Sequence, residues 1–256
     1  MTEHRTPPSG LVLTATDNPT IKAAIALHEP RERRDQSRFL AEGRRSIDGL
    51  LAAGWVPELL FVRDGAEVPA HWPAVVRVGE RVAARLSQLS TAPGYAGIFP
   101  LPVPPPLDVH AGGLILAGIS DPGNLGTLLR AAAAFACRQV VLAGGADPFS
   151  SKVLQASAGA LPLVHLHPHI EPGAMAGGAP LCALVVSGGV PPGALPPGPR
   201  WLVVGGEAHG VPPEWLAQCR EQLTLPMPGG TESLNAAMAG TVALYAVHCP
   251  VARTAG

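Results

Sequence analysis

From residue 107 onward the chain alternates short, almost wholly apolar runs with segments of helical spacing, and this alternation restricts the fold more than any other feature. LILAGIS (114–120), QVVLAG (139–144), LVHLH (163–167), LCALVVS (181–187), WLVVGG (201–206) and LTLP (223–226) read as strands. Between and after them LGTLLRAAAAFAC, SSKVLQASAGA (150–160), PPEWLAQC (212–219) and SLNAAMAGTVALYAV read as helices. A strand that is apolar on both faces has to be covered on both faces, which is the situation of a mostly parallel sheet flanked by helices.

Ahead of this half stands LPVPPP (101–106). Consecutive prolines stiffen a chain and continue neither a helix nor an inner strand, so a domain boundary is expected there, giving units 1–106 and 107–256. The first unit shows its own mixture: PTIKAAIALH (19–28), RRSIDGLLAAG (44–54) and VAARLSQLS (82–90) as helices, FLAEG (39–43) and LLFVR (59–63) as strands. That is a small α/β module. With 47% hydrophobic residues the chain has material for full cores, and 30 Gly with 29 Pro imply many turns.

Charge and cysteine usage exclude some classes. The net charge of −1 argues against a protein that simply coats nucleic acid. Its distribution is uneven: Arg31, Arg33, Arg34, Arg38, Arg44 and Arg45 crowd one short stretch against only Glu32, Asp35 and Glu42. That stretch is the candidate anion-facing surface. No run of about 18 apolar residues suggests a membrane span, and the first ten residues lack the apolar core of a signal peptide. Cys137, Cys182, Cys219 and Cys249 lie far apart without metal-ligand spacing and read as free thiols of a cytoplasmic protein. His165, His167 and His169 alternate like strand residues on one face, but Pro168 interrupts them and no Cys or carboxylate joins in, so no metal is expected.

In parallel sheets ligands sit beyond the C-terminal ends of the strands. Three strands here end in polar, glycine-bearing turns: ISDPGNLGTLLRAA (119–132), VVGGEAHGV (203–211) and LPMPGGTESLN (225–235). Glycines let backbone approach a ligand closely, and helix N-termini offer free N–H groups. None is the dinucleotide fingerprint or a P-loop. Each alone reads more readily as a turn followed by a helix cap.

Together and in this order the three stretches resemble the motifs of the SpoU/TrmH-type branch of the SPOUT RNA methyltransferases. Asn124 and Arg130 match the first motif, Glu207 between glycines the second, and Pro226, Met227, Glu232, Ser233, Leu234 and Asn235 the third. The resemblance covers about 107–248. More loosely, residues 17–54 resemble the family's N-terminal substrate-binding module, which has a ribosomal-protein-like α/β fold. One departure stands out: the family usually has Asn before its Glu, and here the residue is Gly206.

The resemblance implies transfer of a methyl group from S-adenosylmethionine to a ribose 2′-oxygen of structured RNA, ribosomal RNA of the 23S type ahead of transfer RNA. It also implies a deep trefoil knot in the C-terminal domain and a homodimer. Catalytic residues carried over are Asn124, Arg130, Glu207, Ser233 and Asn235. Gly205, Gly206, Glu207, Leu225, Met227, Ser233 and Leu234 are the expected cofactor contacts, and the arginines of 31–45 the expected RNA contacts. Bland readings stand beside these. Asn124 is also a candidate helix cap, Arg130 a candidate rim residue extending to solvent from an apolar helix, and Glu207 a candidate loop anchor. A guanidinium is a poor base near neutrality, so phosphate clamping and electrostatic stabilisation are the physically better roles for Arg130. A non-catalytic relative, a transfer-RNA enzyme and an antibiotic-resistance role remain open at this level. A nucleotide-dependent oxidoreductase is disfavoured by the missing fingerprint.

Overall fold

The computed structural model describes residues 12–249, which divide into two compact units. The first comprises the described residues up to Val103 together with Asp147–Pro162, and the second Pro104–Ala146 with the described residues from Leu163 onward.

The first unit contains β1 (Val12–Leu13), α1 (Pro19–Ala26), α2 (Pro30–Gln36), β2 (Arg38–Glu42), α3 (Arg44–Ala52), β3 (Leu59–Arg63), β4 (Val76–Val78), α4 (Glu80–Arg85) and β5 (Tyr95–Pro100). The sheet order is β1-β4-β3-β5-β2. β4 is parallel to β1 and β3, whereas β5 runs antiparallel between β3 and β2, with Ile98 opposite both Leu59 and Leu40. Ile21, Leu40, Phe61, Val78, Val82 and Leu86 share its core. Local chemistry sets the helix starts: Asn18 Oδ1 accepts from Thr20 N at 2.9 Å, and Pro19 opens α1 where a missing N–H costs nothing. The sequence reading missed β1, α2, β4 and β5, β1 being only two residues long. The segment PRERRDQ has no apolar period, VRV is too short to show one, and YAGIFP carries Gly and Pro, which mask a strand.

The single domain cut expected at 106 is corrected by this arrangement. One division, at Val103 and Pro104, does fall within the proline stretch, but Asp147–Pro162 belongs with the first unit. The reason is tertiary. Arg33 is buried, and its guanidinium donates to Asp147 Oδ2 at 2.8 and 3.1 Å and to the carbonyls of Leu27 and His28 at 2.7 and 2.8 Å. Phe149 packs on Phe39 with ring centroids 5.0 Å apart, and the helix Ser151–Ser157 lies against β2. Gly49 of α3 touches the turn after that helix so closely that a Cβ would stand 2.9 Å from Gly159 Cα.

The second unit is built from β6 (Gly113–Ile119), α5 (Pro122–Ala134), β7 (Gln139–Gly145), β8 (His165–Pro168), β9 (Leu181–Leu184), β10 (Trp201–Gly205), α7 (Pro213–Leu216), β11 (Glu221–Leu223) and α8 (Ala236–His248), the helix Ser151–Ser157 being α6 in chain order. Its sheet has the order β11-β9-β10-β6-β7-β8 with every pair parallel. Leu114, Ile115, Leu116 and Ala117 of β6 are fully buried, as a central strand covered on both faces requires. Trp201, Met175 and Trp215 fill one cluster of the core, while α8 packs on α5 and β10. The expected strand at 223–226 lies instead at 221–223, leaving Leu225 free to turn towards the ends of the strands. Among the described residues no helix is long and apolar enough to cross a membrane.

Burial holds the imidazoles of His28, His167 and His248 below the usual histidine range, with charged neighbours adding smaller effects. Each therefore protonates more readily unfolded than folded, so stability is full above pH 6.5 and falls as pH drops from there towards the lowered folded values. Urea midpoints should be lower at pH 5.5 than at pH 7.5, and His167→Phe should flatten that dependence; an unchanged slope in the variant would remove His167 as a contributor. Burial also pushes the thiols of Cys137 and Cys182 up to about 12 and that of Cys219 to about 11, so none is poised for thiolate chemistry. All four cysteines are free.

Candidate active site

Three turns of the second unit converge beyond the C-terminal ends of β6, β10 and β11. The first begins where β6 ends at Ile119. Asp121, rather than Asn124, caps α5: its Oδ1 accepts from Asn124 N at 2.8 Å. This frees the Asn124 side chain for other partners. In the second turn β10 ends at Gly205, and Gly210 N donates to Gly206 O at 2.9 Å, closing a loop with Glu207, Ala208 and His209 at its tip. Glycine is obligatory there. A Cβ on Gly205 would lie 2.0 Å from the Gly210 backbone, and one on Gly206 2.6 Å from Gly118 O. The latter contact gives a physical reason for Gly206 in this chain. The third turn delivers Asn235 to the start of α8, where its Oδ1 accepts from Ala237 N and Met238 N at 3.0 and 3.2 Å.

Three of the residues expected to be catalytic meet in one network. Glu207 Oε1 accepts from Asn124 Nδ2 and, at 2.9 Å, from Asn235 Nδ2, which also reaches Asn124 Oδ1 at 3.2 Å. Asn235 thus uses its oxygen to cap a helix and its nitrogen to hold a carboxylate. Two amide donors on one oxygen fix the direction of the Glu207 carboxylate.

On one side of Glu207 opens a cleft of about 420 Å³. All seven expected cofactor contacts, Gly205, Gly206, Glu207, Leu225, Met227, Ser233 and Leu234, line it. Leu184, Val185, Val186, Val204, Gly210, Ala236 and Ala239 also line it and were not singled out from sequence, because apolar strand ends look like any other core residue. The other side opens into a second cavity of about 290 Å³, bordered by Gly118, Ser120, Asp121, Asn124, Glu207 and His209. Ser233 lines the cleft but is not part of the Asn124–Glu207–Asn235 network.

Arg130 is not part of this constellation. Six residues along α5 from Asn124 the helix has turned by roughly 240°, and Arg130 is exposed and lines neither cavity. Among the expected RNA contacts, Arg33 is corrected to a buried structural arginine. Arg38 is held by Glu58 at 2.9 Å, Arg44 is half-exposed near Asp48 and Glu67, and Arg31 pairs with Asp35. Arg34 and Arg45 are exposed. No cluster of three His, Cys, Asp or Glu arranged to hold a metal ion occurs among the described residues.

Comparison with known proteins agrees with this geometry. Residues 18–97 match the MRM3-like substrate binding domain. The chain is 27% identical to the 23S rRNA (guanosine(2553)-2′-O)-methyltransferase RlmP of Bacillus subtilis, over 91% of this chain and 97% of that protein. It is 28% identical to the human mitochondrial rRNA methyltransferase 3, over 83% of this chain and 68% of that one. Among solved structures, an AdoMet-bound rRNA methyltransferase from Sinorhizobium meliloti superposes with a TM-score of 0.79 at 26% identity, covering 93% of this chain and 97% of that chain. Residues 113–245, which carry all three turns, match the SpoU rRNA methylase family, and the protein belongs to that family.

Proposed function

We propose that the protein transfers a methyl group from S-adenosylmethionine to a ribose 2′-hydroxyl of ribosomal RNA. The observation that carries this reading is the Asn124–Glu207–Asn235 network on the wall of a nucleoside-sized cleft. The cleft suits the cofactor chemically: apolar Leu184, Val204, Leu225 and Leu234 with strand-end backbone for an adenosine, and the Glu207 carboxyl group on its wall for the sulfonium end. Bound there, adenosylmethionine supplies an electrophilic methyl carbon. The chain's own contribution is orientation: Glu207, immobilised by two amides, fixes the electrostatics at the mouth where the acceptor oxygen must line up. The similarity to RlmP and to human rRNA methyltransferase 3 supports ribosomal RNA over transfer RNA.

A homodimer completes this reading. Met238, Val242 and Tyr245 project from α8 at 58%, 50% and 46% exposure, a stripe of large apolar side chains at helical spacing. Tyr245 also packs on Phe135 just past α5, with ring centroids 5.3 Å apart. In such a dimer we infer that Arg130 of one chain serves the cleft of the other, since each cleft lacks an arginine from its own described residues. A trefoil knot in the cleft-forming segments belongs to the same reading, as the family assignment implies. In the first unit Arg34 and Arg45 offer RNA contacts. A cytoplasmic location fits the four unpaired thiols.

The test is incubation of the protein with labelled adenosylmethionine and an unmodified large-subunit rRNA transcript, followed by mapping of alkali-resistant linkages. Label in a single ribose, undiminished by a chelator, is expected; label on a base, or none, would overturn the reading. Gly205→Ala should weaken adenosylmethionine binding about tenfold or more in calorimetry, since forcing a methyl into packed backbone costs roughly 1–3 kcal/mol. Wild-type affinity in that variant would show that the turn tolerates the added atom.

A further inference from the structure

We propose that His209 stacks on the base of the acceptor nucleoside in the second cavity and so holds the nucleotide to be methylated; this rests on the RNA 2′-O-methyltransfer reading above. The second cavity shares Gly206, Glu207, Gly210 and Ala236 with the cofactor cleft, so a ribose in it lies across the Glu207 wall from the methyl donor. Its volume of about 290 Å³ suits one nucleoside rather than a duplex segment. Its charge excludes a phosphate as occupant. Asp121 and Glu207 line it with no Lys or Arg among the described lining residues, so an uncharged base and ribose fit where a phosphate would be repelled. His209 is exposed at the tip of a loop fastened at both ends, Gly206 N to Ala117 O at 3.1 Å and Gly210 N to Gly206 O at 2.9 Å. It is the one aromatic ring among the described residues that line the cavity, and RNA-binding proteins hold unstacked bases on such rings.

The experiment compares wild type, His209→Ala and His209→Phe on an unmodified large-subunit rRNA transcript, with adenosylmethionine binding measured in parallel. Loss of a stacking platform should raise the KM for RNA roughly tenfold to a hundredfold in His209→Ala, with single-turnover rate at saturating RNA and cofactor affinity nearly unchanged. His209→Phe keeps a ring and loses the titratable nitrogens, so it should restore most of the affinity. Failure of Phe to rescue, with a fall in rate at saturating RNA, would overturn stacking in favour of proton transfer. Lost adenosylmethionine binding in His209→Ala would make the residue a structural part of the loop and also overturn the proposal. Absence of ribose methylation by wild type is a separate result, which removes the underlying reading itself.

Discussion

Arg130→Ala is expected to lower single-turnover methylation by about 10²–10³-fold, about 3–4 kcal/mol of barrier, while leaving adenosylmethionine affinity unchanged. The residue lines no part of the cleft in its own chain, so removing it should not disturb cofactor binding. In the proposed dimer it acts on the partner's site, where a guanidinium can clamp an RNA phosphate in two-point geometry and stabilise a developing alkoxide. Arg130→Lys keeps the charge without the planar fork, so partial recovery would mark the role as mainly electrostatic. The trans arrangement has its own test. Mixing Arg130→Ala with Gly205→Ala subunits creates mixed dimers in which one site has both an intact cleft and the partner's arginine. At an adenosylmethionine concentration too low to fill the Gly205→Ala cleft, random assortment should then restore about a quarter of wild-type activity. No restoration would put Arg130 in the same chain's site, and wild-type rates for Arg130→Ala alone would remove it from the mechanism.

Asp147→Ala is expected to produce the largest loss of stability in the first unit. Arg33 is buried and meets Asp147 through two nitrogens, so deleting the carboxylate strands a charge. Breaking one partner of a buried pair costs about 3–5 kcal/mol; about 3 kcal/mol is expected here, because Asp147 is 24% exposed and two carbonyls still receive the guanidinium. Trp55 and Trp72 lie in this unit, so urea unfolding followed by fluorescence reads it. The midpoint should fall with little change in slope. An unchanged midpoint would show that the carbonyls alone satisfy Arg33. The same pair explains why the chain should not be cut at 106: a fragment ending there lacks Asp147, Phe149 and the helix Ser151–Ser157, which complete the first unit.

The sequence by itself determined the parallel sheet of the second unit, because strands buried on both faces must be apolar throughout and that signal is local. It also determined the cofactor-cleft turns, since close backbone approach at strand ends demands glycine and a helix start demands a cap, and both constraints act within a few residues. Asn235 was legible for that reason. Only the tertiary structure decided what depends on distant partners. Arg33 looks like its neighbours in an arginine-rich stretch, yet a carboxylate 114 residues away turns it inward. Asp121 takes the capping role for which the sequence offered Asn124, and thereby frees Asn124 to hold Glu207. The strand Tyr95–Pro100 hides behind Gly and Pro, and its two antiparallel neighbours fix it in the sheet. His209 carries no periodic or spacing signal; a cavity formed by the ends of two parallel strands gives it a surface to face. Local pattern encodes which residues avoid water, whereas the pairing of charges and the shape of a cavity arise from contacts that form once the chain has folded.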